Sequence, residues 1–176
     1  MEGQRKPVIY IGLLIVAVAA GYLIHDNFLK PSTPEQEIGV QTGNILLDET
    51  IPNIDGSANI KFSDYQGKIL VIDFMAPWCA PCKTQIDILA LVDDVEGVEV
   101  MSINIDPNYD MDYLYGFSEE EGITWFFGNS PQSAVDFEVS AIPTIIIVDQ
   151  SGFIAHRKAG VTSVSEFESI LSELIN

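Results

Sequence analysis

The sequence predicts an α/β domain, a central sheet flanked by helices, carried behind an apolar N-terminal segment. Three observations predict it. Short runs rich in β-branched and aromatic residues, Ile69–Met75, Val98–Ile105, Thr144–Asp149 and Phe153–Ala159, are interspersed with stretches of helical period, the last two runs standing together. The only two cysteines in 176 residues, Cys79 and Cys82, stand three apart where the first of those runs gives way to a helical stretch. One uncharged apolar run, Val8 to Ile24, lies close to the N-terminus behind Arg5 and Lys6.

Residues 1–7 read as a cytoplasmic N-terminus and residues 8–25 as a transmembrane anchor, at the short end for crossing a bilayer. The positive flank at Arg5 and Lys6 belongs on the cytoplasmic side, which places the remainder outside the cytoplasm. A cleaved signal peptide is the competing reading. Ala17-Val18-Ala19 resembles a cleavage site, but Tyr22-Leu23-Ile24 carries the apolar run past it. Residues 26–43, with Pro31 and Pro34, read as a linker. The folded domain is expected over 44–176.

Within it, Ile45-Leu46-Leu47 and Ala58–Phe62 are expected to form an N-terminal β-hairpin around Asp55-Gly56. Ile69–Met75 is apolar apart from Asp73, as a buried central strand should be. A helix follows from the cysteines to about Gly97. Val98–Ile105 is the next strand, with Val98, Val100 and Ser102 on one side. Tyr109–Gly122 reads as an inserted helix and Ile123–Phe127 as an inserted strand. Ser133–Phe137 is a short helix, and Thr144–Asp149 with Phe153–Ala159 a hairpin around Gln150-Ser151-Gly152. Val164–Ile175 is a last amphipathic helix, with Val164, Phe167, Ile170, Leu171 and Leu174 inward.

Trp78-Cys79-Ala80-Pro81-Cys82 carries the chemistry. A cysteine at a helix start meets free backbone N–H groups and the positive end of the dipole, which favour thiolate. Cys79 is therefore the expected attacking sulfur, and Cys82, one turn on, the resolving one. Pro81 suits a first turn because its missing N–H is not needed there. Half a zinc site is a poor alternative, because structural zinc takes four ligands, no other cysteine exists, and His25 and His156 lack ligand spacing. A structural disulfide is another, but so small a loop constrains the unfolded chain little.

These residues resemble a known family. Val71–Lys83 resembles the active-site segment of thioredoxins, and Val139–Thr144 with the strand after it resembles the thioredoxin cis-proline loop. Gly160 resembles the glycine ending the last strand, and Phe62–Lys68 a segment of membrane-anchored thioredoxins of the TlpA and ResA type. The resemblance covers about Ile45 to Asn176 and implies a thioredoxin fold with a mixed sheet, the inserted helix and strand included. It implies a redox-active Cys79–Cys82 disulfide. It matches Asp73 to the buried aspartate that takes the proton of the resolving cysteine and returns it. It makes Pro143 a cis-proline facing the disulfide, and Trp78, Ala80, Pro81, Ile142 and Thr144 the substrate-binding rim. Ser102 departs from the pattern, which often has a lysine beside the aspartate. For Asp73 a solvent-facing place at a sheet edge is the bland alternative, and for Trp78 ordinary surface packing. Trp125 reads as core.

The implied activity is disulfide reduction in extracytoplasmic proteins, with apocytochrome c as one substrate. No histidine lies between the cysteines, so the expected potential is nearer that of thioredoxin, about −270 mV, than that of DsbA, about −120 mV. An oxidant or isomerase of the same fold, and a dithiol copper chaperone, are the alternatives. The expected partners are protein thiols and disulfides, a membrane-bound or soluble dithiol donor, and the membrane itself. No cofactor and no metal is implied. The chain holds 26 acidic and 8 basic residues, for a net charge of −18, which argues against nucleic acid and anionic lipid as partners. Peroxidase chemistry of the peroxiredoxin kind is disfavoured, since Trp78-Cys79 stands where Thr-x-x-Cys would be needed.

Overall fold

The structure, a computed structural model, describes residues 37–57 and 59–175. The expected anchor over 8–25 and the N-terminus before it lie outside them. Among the described residues no helix is long and apolar enough to cross a membrane.

Four short strands come first: β1 (Ile38–Gly39), β2 (Ile45–Leu46), β3 (Thr50–Ile51) and β4 (Ile60–Lys61). A single 3-10 turn over Phe62–Tyr65 leads to β5 (Ile69–Met75). Then follow α1 (Ala80–Asp93), β6 (Val98–Asn104), α2 (Met111–Glu121), β7 (Phe126–Asn129), α3 (Ser133–Asp136), β8 (Thr144–Val148), β9 (Ile154–Ala159) and α4 (Val164–Ile175). The main sheet runs β7-β6-β5-β8-β9. β6 lies parallel to β5 and β7 parallel to β6, while β8 runs antiparallel to β5 and β9 antiparallel to β8. This is the mixed sheet of a thioredoxin-like α/β fold.

β5 is buried along its whole length because both of its faces are covered. Leu70, Ile72 and Phe74 point to one side, with Met101, Ile103, Ile146 and Ile154, and are covered by Ile51, Phe62 and Phe137. Ile69 and Val71 point to the other, where Leu89 and Val92 of α1 and Phe167 and Leu171 of α4 pack. A run apolar at nearly every position is what two covered faces require.

The N-terminal hairpin differs from the expected one. β2 does not pair with β4: it pairs in parallel with β1, inside the stretch read as linker. The antiparallel pair is β3 with β4, around a turn in which Asn53 and Asp55 both hydrogen-bond Ser57. Ile51, with no exposed surface, fixes that register from below. The displaced β2 segment instead lies along the β8–β9 turn, where the Gly43 and Leu46 amides donate to the Ile154 and Gly152 carbonyls at 2.8 and 2.9 Å. Residues 52–54 lie along β7, with Asn129 N donating to Pro52 O and Ile54 N to Phe127 O. Both edges of the sheet thus gain backbone partners.

The inserted helix and strand are present with shifted bounds. Asp110 caps α2 by accepting from the Tyr113 amide, and Gly122 ends it in the left-handed region. The strand begins at Phe126, not Ile123, because pairing with β6 runs from Met101↔Phe126 to Asn104↔Asn129.

Candidate active site

Cys79 is the N-cap of α1, with extended φ and ψ. Its Sγ accepts from the Cys82 amide at 3.2 Å, a donor it shares with the Cys79 carbonyl at 3.0 Å. Pro81 occupies the first turn, where a donor would be idle. The two sulfurs form a disulfide of 2.07 Å. Cys79 is 3% exposed and Cys82 fully buried, so one sulfur borders solvent and the other faces the core. Around them pack Met75, Ile86, Leu114, Phe117 and Phe127, so the inserted α2 and β7 build one wall of the site.

A groove of about 630 Å³ opens over Cys79. Trp78, Ala80 and Pro81 form one bank, and Val139–Ile142 the other. The Ile142–Pro143 peptide is cis. Thr144 does not reach this groove. It is buried, and its hydroxyl donates to the Ala141 carbonyl at 2.6 Å, bracing the loop from beneath. That corrects its reading as a rim residue: as the first residue of β8, it points its side chain into the fold.

Asp73 has no exposed surface and sits in the central strand, opposite Ser102 on β6 and Ile145 on β8. The edge reading therefore fails. Burial pushes its carboxyl up from 3.8 to about 7, opposed by one hydrogen bond from Ser102. Ser102 Oγ donates to Asp73 Oδ2 at 3.1 Å, while Oδ1 has no donor among the described residues. Asp73 shares its face of β5 with Met75, which packs on the disulfide.

The sequence reading gave Trp125, Asp106 and Arg157 no part in the site. Trp125, taken as core, donates its indole N–H to Ser102 Oγ at 3.0 Å. Trp78 is 64% exposed yet held, its indole N–H donating to Asp106 Oδ2 at 2.7 Å. Asp106 also accepts from the Asn108 amide and side chain, and these bonds hold its carboxyl below the usual range. Arg157 on β9 donates to the carbonyls of Val40, Phe137 and Glu138, which anchors the segment leading into the cis-proline loop. Glu138 there has φ of 51°, a conformation a non-glycine residue keeps only when held. An arginine inside an otherwise strand-like run was the available signal. Lys83, beside Cys82, is spoken for: it pairs with Glu121 and lies 5.3 Å from the Phe117 ring centre.

A helix-capping cysteine disulfide under a groove, faced by a cis-proline loop on a thioredoxin-like sheet, defines a thiol-disulfide oxidoreductase. The match of residues 42–157 to the AhpC/TSA family model covers more than half of the chain, which belongs to that family. It is 25% identical over 181 residues to the thiol-disulfide oxidoreductase ResA of Geobacillus kaustophilus, covering 99% of both chains. It is 29% identical over 166 residues to the thiol:disulfide interchange protein HelX of Rhodobacter capsulatus, covering 89% of both. Among solved structures, a Chlorobium tepidum protein assigned as thiol:disulfide interchange protein DsbE superposes with a TM-score of 0.69 at 20% identity. That match covers 78% of this chain and all of the other, a likeness of fold.

Proposed function

We propose that this chain reduces disulfides in proteins outside the cytoplasm, held at the membrane by residues 8–25. The carrying observation is the capping geometry: Cys79 Sγ already accepts an amide hydrogen at a helix start, and that arrangement stabilises a thiolate. In the reduced protein the Cys79 thiolate attacks a substrate disulfide lying in the groove. One substrate sulfur leaves as thiolate, and a mixed disulfide forms. Asp73 takes the Cys82 proton, the Cys82 thiolate attacks Cys79 Sγ, and the second substrate thiolate departs. Trp78, Ala80, Pro81 and Ile142 line the path of the substrate, and its backbone pairs beside cis-Pro143. A dithiol donor then re-reduces Cys79–Cys82.

The substrate the resemblance implies is apocytochrome c, whose cysteines must be reduced before haem is attached. The net charge of −18 supports a basic polypeptide of this kind. Insulin reduction with dithiothreitol tests the chemistry. A Cys82→Ser variant should hold its partner as a mixed disulfide through Cys79, and identifying that partner tests the substrate. No turnover and no trapped partner would defeat the reading. Equilibration with glutathione separates a reductant from an oxidant, and a potential above the glutaredoxin range, about −200 mV, would favour the oxidant.

A further inference from the structure

Trp125, Ser102 and Asp73 come from β7's approach, β6 and β5, and they form one hydrogen-bonded line ending at the buried carboxylate. Its chemistry is directional. An indole N–H is a donor only. With Trp125 donating to Ser102 Oγ, the serine oxygen is engaged as an acceptor, and its own hydrogen is free to point at Asp73 Oδ2. Trp125 fills one of the two lone pairs of Ser102 Oγ and offers no acceptor, and Asp73 Oδ2 is the acceptor the Ser102 hydrogen has among the described residues, so Oδ2 accepts in the intact line. Oδ1, buried and with no donor among the described residues, is the oxygen left for a proton.

We propose that Trp125, acting through Ser102, is a positioning residue that fixes Ser102 as donor to Oδ2, so that Oδ1 is the oxygen exchanging a proton with Cys82. The proposal rests on the role given above to Asp73 and adds the device that orients it. In the resolving step the Cys82 S–H proton passes to Oδ1. The Cys82 sulfur bonds to Cys79 Sγ, the bond from Cys79 to the substrate sulfur breaks, and the substrate thiolate takes a proton from solvent. Ser102 keeps its hydrogen on Oδ2 during this transfer, because Trp125 occupies one of its lone pairs and gives that hydrogen no other acceptor.

The surroundings leave the pair as the local control on Asp73. Ile145 is the register partner on β8, and the buried titratable groups among the described residues are Asp73, Cys79 and Cys82. Lys83, Asp87 and Asp93 on α1, Glu119 to Glu121 on α2 and Glu166 on α4 are exposed or only half-buried, and none contributes to the shift of Asp73. Beside Asp73 this chain sets a neutral hydroxyl held by an indole. The donor favours the carboxylate without adding a charge.

The test is direct titration of the Asp73 carboxyl, by carbon NMR on side-chain-labelled full-length protein, in the disulfide form where no thiol titrates. Ser102→Ala removes the donor and should raise the midpoint by about one pH unit. Trp125→Phe should raise it by less, since the freed hydroxyl can then also accept from the protonated acid. In the Ser102→Ala background Trp125→Phe should add nothing. No shift in Trp125→Phe, or the same shift with and without Ser102, would overturn the proposal. The readout needs no turnover. If the Asp73 midpoint moves as stated while the pH profile of mixed-disulfide resolution does not follow it, the role of Asp73 fails and the positioning stands. Unfolding curves identify any variant that has lost its fold, and the conservative Trp125→His, which restores a ring N–H, should bring the midpoint back toward wild type.

Discussion

Replacing Asp73 by asparagine keeps the size and most of the shape of the side chain but removes its proton equilibrium, and the consequence for stability can be worked out. The carboxyl titrates at 3.8 ordinarily and at about 7 when folded, through burial. Below 3.8 both folded and unfolded chains hold the proton, and the group contributes nothing. Between the two values the folded chain holds the proton and the unfolded chain has lost it. The folded state then binds more protons, so stability falls as pH rises. Above about 7 both forms are ionised and the loss is complete. A step from 3.8 to about 7 corresponds to about 4 kcal/mol. Because Asp73 is fully buried, solvent screening does not reduce this figure. The introduced amide brings its own hydrogen-bond mismatch, but that offset does not vary with pH. The assay is urea unfolding of oxidised wild type and Asp73→Asn at intervals from about pH 3.5 to pH 8.5. The variant should gain on wild type steadily from about pH 4 to pH 7 and then hold its lead. Parallel curves over that range would refute the reasoning, since Asp73 would then be ionised in the fold or exposed.

Four further outcomes follow from the same contacts. Asp106→Ala should free the Trp78 indole, change its fluorescence, and lower kcat/KM for insulin by about fivefold, the worth of one ordering hydrogen bond. Ser163→Ala breaks the reciprocal cap in which the Glu166 amide meets Ser163 Oγ and the Ser163 amide meets Glu166 Oε2, and should destabilise by about 1 kcal/mol in thermal unfolding. Glu166 itself is held down to about 2 by Lys158 and Ser163, so its contribution is present above its ordinary 4.5 and fades as pH falls toward 2. Gly128→Ala would set a Cβ 2.3 Å from Ile51 Cγ2, and should destabilise by about 1–3 kcal/mol while leaving the Cys79–Cys82 potential unchanged.

What the sequence made legible was what local pattern encodes. β5 announces itself as an unbroken apolar run, the cysteines mark the turn into α1, and Pro143 marks its loop. The strands β1 to β4 are two residues each, too short for any period to show, and Leu46 and Ile51 are the buried residues among them. The hydrogen-bonded line to Asp73 was invisible for another reason. It depends on the register that sets Ser102 beside Asp73, and on an inserted strand starting at Phe126, which leaves Trp125 just outside it. Thr144 went astray because closeness in sequence to Pro143 says nothing of which way a strand's first side chain points.

The most direct measurement is the rate of Cys79 alkylation against pH in the reduced full-length protein, with Cys82→Ser as the single-thiol control. Cys79 should ionise at least one unit below the value of about 8.5 for a free cysteine, because the first turn of α1 supplies it with an amide donor. A midpoint at about 8.5 in both proteins would contradict the account, since the helix start would then lend the sulfur no acidity and the groove above it no attacking group.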